Sequence, residues 1–70
     1  MLPADEDACR AVAGDIQRLR PGWLVLFGCF SRQYVAFPVF PVRQRVTVTA
    51  YYAPALVERM DEAERLFRIQ

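Results

Sequence analysis

The chain has 70 residues, a formal net charge of +1, 54% hydrophobic residues and no histidine. That length allows one domain, residues 1–70, and excludes a large core: a domain of this size buries only about 60% of its unfolded-chain surface, and its core rarely supplies more than ~3–5 kcal/mol unaided. The balanced charge gives no field that draws the chain to nucleic acid or to an anionic membrane.

Residues 4–20 read as a helix. Ala8, Val12, Ile16 and Leu19 recur at spacings of four, four and three, which lines one face. Asp5, Glu6 and Asp7 stand in the first turn and Arg18 and Arg20 in the last, which suits the helix macrodipole. Gly14 weakens the middle by ~1 kcal/mol relative to Ala. Pro21-Gly22 stops the helix.

Residues 23–30, Trp-Leu-Val-Leu-Phe-Gly-Cys-Phe, form a short aromatic and aliphatic run, predicted as a strand. They do not alternate with polar residues, which suits a strand covered on both faces. Ser31-Arg32-Gln33 is the turn of a hairpin, and Tyr34-Val35-Ala36-Phe37 is its second strand, ending near Pro38 because proline cannot donate to a ladder. Val39-Phe40-Pro41-Val42 is expected to run extended over the surface. Residues 45–51 form the third strand, with Val46, Val48 and Ala50 on one face and Arg45, Thr47, Thr49 and Tyr51 on the other. Pro54 opens the last helix, where its missing N–H costs nothing, and Leu56, Met60, Ala63 and Phe67 line its apolar face. The fold class is therefore α+β: a three-stranded antiparallel sheet flanked by N- and C-terminal helices, in the order α-β-β-β-α.

Catalytic chemistry is poorly supplied. All nine basic residues are Arg, Ser31 is the one serine, and no Ser/His or Cys/His pair exists. The glycines Gly14, Gly22 and Gly28 form no phosphate-cradling loop. No catalytic residue, metal or cofactor is expected. Cys9 and Cys29 read as buried free thiols, with a Cys9–Cys29 bridge as the alternative. The acidic start does not suit a signal peptide and the longest apolar run is too short to span a membrane, so a soluble, cytoplasmic protein is expected.

The sheet carries the functional expectation. Both faces of the first two strands are apolar. Strand one offers Leu24, Leu26, Gly28 and Phe30 on one face and Trp23, Val25, Phe27 and Cys29 on the other. Strand two offers Val35 and Phe37 on one and Tyr34, Ala36 and Pro38 on the other. Two helices on one side would leave an apolar face larger than a monomer tolerates. The set placed on that open face is Trp23, Val25, Phe27, Tyr34, Ala36, Thr47, Thr49 and Tyr51. It is expected to pack on a symmetry mate as a homodimer, or on another protein; helices straddling the sheet would leave nothing over. A different reading is a nucleic-acid-binding sheet using Arg32, Arg43 and Arg45 with the aromatics. A third is a carrier with an apolar cavity beneath Trp23 and Phe27.

Pro21-Gly22-Trp23, Tyr34-Val35-Ala36-Phe37-Pro38 and Pro54-Ala55-Leu56-Val57, in this order of elements, resemble short uncharacterised reading frames of actinobacteria. Some of these neighbour helix-turn-helix regulators. The resemblance implies a bacterial regulatory or accessory protein, a partner such as a transcription regulator, and no catalytic residue.

Overall fold

In the computed structural model, which describes residues 6–28 and 30–69, helix α1 (Glu6–Leu19) leads into strands β1 (Trp23–Phe27), β2 (Tyr34–Pro38) and β3 (Val48–Ala50), and helix α2 (Ala53–Phe67) closes the order. The sheet is antiparallel with β2 in the centre. Ala13 and Ile16 of α1 and Leu56, Met60 and Ala63 of α2 share one buried cluster with Trp23, Val25, Tyr34, Ala36, Val48 and Ala50. Both helices therefore lie on the same side of the sheet, and the straddling arrangement is excluded.

That side is the reverse of the expected one for β1 and β2. Val25 pairs with Ala36 and Ala36 with Val48, so these three side chains share a face, as do Phe27, Tyr34 and Ala50. Val48 and Ala50 face the helices as expected, and the register carries Trp23, Val25, Tyr34 and Ala36 inward with them. Two features of Trp23 fit the interior. Its indole N–H donates to Glu64 Oε1 at 3.0 Å, which satisfies a polar atom on a ring only 1% exposed. Its ring meets Phe40 edge-on, with centroids 5.3 Å apart. The small side chains of Ala36 and Ala50 leave the helices room to approach.

The Val39-Phe40-Pro41-Val42 segment does more than cross the surface. Phe40 packs on the cluster and lies under the Arg68 guanidinium, 4.8 Å from the ring centre. Val42 bridges to Arg68, Arg43 N–H donates to Phe67 O at 2.9 Å, and Ile69 N–H donates to Pro41 O at 3.1 Å. The connection thus pins the end of α2 over Trp23. A Cβ on Gly22 would sit 3.3 Å from Phe40, so the glycine allows this close passage.

The third strand is shorter than the expected 45–51. In the β2–β3 register Tyr34–Ala50 and Ala36–Val48 are the pairs joined by hydrogen bonds, and Pro38 would come next, opposite Val46. Proline has no N–H to donate there, so the ladder stops. The inward face of α1 is also rotated from the expected one. Cys9, Val12, Ala13 and Ile16 meet the core, while Ala8 is exposed and Leu19 is 78% exposed. On α2, Leu56, Met60, Ala63 and Phe67 face the core as the spacing implies. Ala4 and Asp5 lie outside the described residues, as does Cys29, on which the bridge to Cys9 depends.

Candidate interaction surface

The hairpin alternates by two, so the residues between the buried ones face away from the helices. Leu24 pairs with Phe37 and Leu26 with Val35, and Thr49 lies across from Val35. Leu24 is 46% exposed, Leu26 49% and Phe37 37%. Val39, also exposed, continues the row, since its N–H donates to Gly22 O in the same ladder. Leu24, Leu26, Val35, Phe37, Val39 and Thr49 thus form a face with no charged side chain. Two strands of five residues and one of three give it at most roughly 17 by 14 Å at the usual strand spacings.

Of the residues expected on the open face, Trp23, Val25, Tyr34 and Ala36 are buried beneath the helices instead, and Phe27 packs against the same cluster. Thr49 is on the open face; Thr47 and Tyr51 are exposed beyond the ends of β3. The exposed set is the other register of the same strands. Periodicity could not separate the two, because both are apolar. The bulk of the Trp23 ring, which gains most from burial, was the one feature that separates them.

The edges of the sheet differ from its face. Val39 N–H to Gly22 O and Gly28 N–H to Gln33 O, both 2.9 Å, fix the alternation of the β1–β2 ladder. Leu24 and Leu26 bond inward to β2, and the backbone groups of Trp23, Val25 and Phe27 point to the outer edge. Gln17 of α1 meets two of these: Val25 N–H donates to its Oε1 at 2.7 Å, and its Nε2 donates to Trp23 O. Trp23 N–H donates to Arg20 O at 3.0 Å. At the opposite edge Thr49 points outward, and Arg59 of α2 donates to its carbonyl. An ion pair between Arg20 and Asp61 ties the end of α1 to α2.

Arg32, Arg43 and Arg45 do not come together. Arg32 sits in the turn before β2, with φ 58°, and Arg43 and Arg45 follow β2 at the other end. A five-residue strand, roughly 17 Å, separates them. Phe27 lines two grooves, about 390 and 270 Å³, that open to the surface at the flank of α1 and at the start of α2. The second contains Cys9 and Tyr34. Burial and then a hydrogen bond with the Cys9 thiol push the Tyr34 hydroxyl up to about 12. Among the described residues no group of His, Cys, Asp and Glu could hold a metal ion, and no helix is long and apolar enough to cross a membrane.

Fold and surface together define a small α+β protein with an open three-stranded sheet. No family model, no curated protein and no solved structure matches the chain.

Proposed function

We propose that this chain is a non-enzymatic association module whose partner is a second copy of itself, stacked sheet to sheet about a two-fold axis. The carrying observation is the row Leu24, Leu26, Val35 and Phe37, apolar, uncharged and directed away from both helices. Covering such side chains contributes roughly 25 cal/mol per Å² of apolar area removed from water. A partner for this face has to be apolar and uncharged, and an identical copy presents such a surface in a self-complementary way. The face is smaller than the ~800 Å² per partner of a standard interface, so association in the micromolar range is expected. Such a dimer fits a regulatory or accessory role in a bacterial cytoplasm, the role the resemblance implies. The separation of Arg32 from Arg43 and Arg45 weighs against the nucleic-acid reading. Methyl resonances on dilution provide the test: shifts confined to Leu24, Leu26, Val35 and Val39 support the dimer, and shifts confined to the helices overturn it.

A further inference from the structure

We propose that Gln17 and Arg59 are edge guards that deny the sheet to extended strands and so restrict its partners to those that stack on its face. A primary amide has the donor and acceptor of a peptide group. Gln17 uses both on β1, taking the Val25 N–H and giving to the Trp23 carbonyl, as one residue of an added strand would. Arg20 O already holds the Trp23 N–H. What remains outward on β1 is the Val25 carbonyl and the groups of Phe27, too short a stretch to template a strand. On β3 only Thr49 points outward; Arg59 occupies its carbonyl, and the Thr49 N–H is the single ladder group left on that strand. Unpaired edges otherwise invite open-ended pairing between copies, and here an apolar face lies beside them.

The inference rests on the proposed dimer only for the size of the wild-type assembly. The test is sedimentation velocity and amide exchange on the wild type, Gln17→Met and Gln17→Ala. Methionine keeps the bulk and helix propensity of Gln17 but removes both hydrogen bonds. The wild-type Val25 amide is expected to be protected, and in the folded variants its exchange rises about tenfold, the loss of one hydrogen bond. The variants then associate through the freed β1 edge into species larger than the wild type, in an amount that rises with concentration. Gln17→Glu, which keeps the acceptor for Val25 N–H and sets a charge on the edge, remains at the wild-type size. A wild-type Val25 amide that exchanges freely overturns the proposal, with no variant needed. So does a folded Gln17→Met or Gln17→Ala variant with the wild-type size distribution. A monomeric wild type with variants that pair removes the dimer and leaves the guards; a dimeric wild type with variants of unchanged size does the reverse.

Discussion

Trp23 and Tyr34 are the two large side chains of the sheet whose polar atoms are taken indoors, and each is answered by one group. Glu64 accepts from the Trp23 indole while its other oxygen meets Arg68 at 3.1 Å. Glu64→Leu leaves the indole N–H buried without an acceptor and is expected to lower unfolding free energy by ~1–3 kcal/mol in urea titration. Glu64→Gln keeps an acceptor and loses only an exposed ion pair, so its cost stays below about 1 kcal/mol. Tyr34 gives a pH dependence. Its hydroxyl ionises near 10 in the unfolded chain and near 12 in the fold. Between those values the native state holds a proton that the unfolded state has released. Its contribution is therefore complete below pH 10 and is lost as pH rises through 12. Urea midpoints measured at the two ends of that window should fall in the wild type, and Tyr34→Phe should flatten the part of the fall due to this residue.

At the scale of elements, the order of helices and strands could be read directly from periodicity and punctuation. Pro21-Gly22 ended α1, Pro38 ended β2, and Pro54 opened α2, each through its effect on backbone hydrogen bonding. The face of the hairpin was not legible. Leu24 and Val25 are equally apolar, and the choice between them depends on how the whole strand packs under the helices, where the large Trp23 ring gains most from burial. The shortening of β3 was legible only once Pro38 was known to stand opposite Val46. The role of Gln17 left no mark in the pattern, since a polar residue on a helix reads as solvated until an edge strand lies against it. A methyl group added at Gly14 would meet nothing within 4 Å, and the residue has no positive φ that calls for glycine. Gly14→Ala should thus add ~1 kcal/mol of stability. For a domain of this length that raises the Tm by roughly 4–8 °C in a thermal melt.

For the molecule as a whole, the arrangement is asymmetric: two helices cover one side of three strands, side chains occupy part of each edge, and one apolar face is left. A single charge on that face should separate association from folding. Leu26 contributes nothing to the buried cluster, so Leu26→Asp should leave the helical circular dichroism and the buried Trp23 emission unchanged. Desolvating an unpaired carboxylate against a second copy costs several kcal/mol, enough to carry a micromolar dissociation constant to about millimolar or weaker. The most direct test is sedimentation equilibrium of wild type and Leu26→Asp from micromolar to near-millimolar concentration. The account predicts a wild-type mass rising to that of two chains and a Leu26→Asp mass fixed at one. A wild type that stays at one chain throughout, or a Leu26→Asp protein that still pairs, would contradict it.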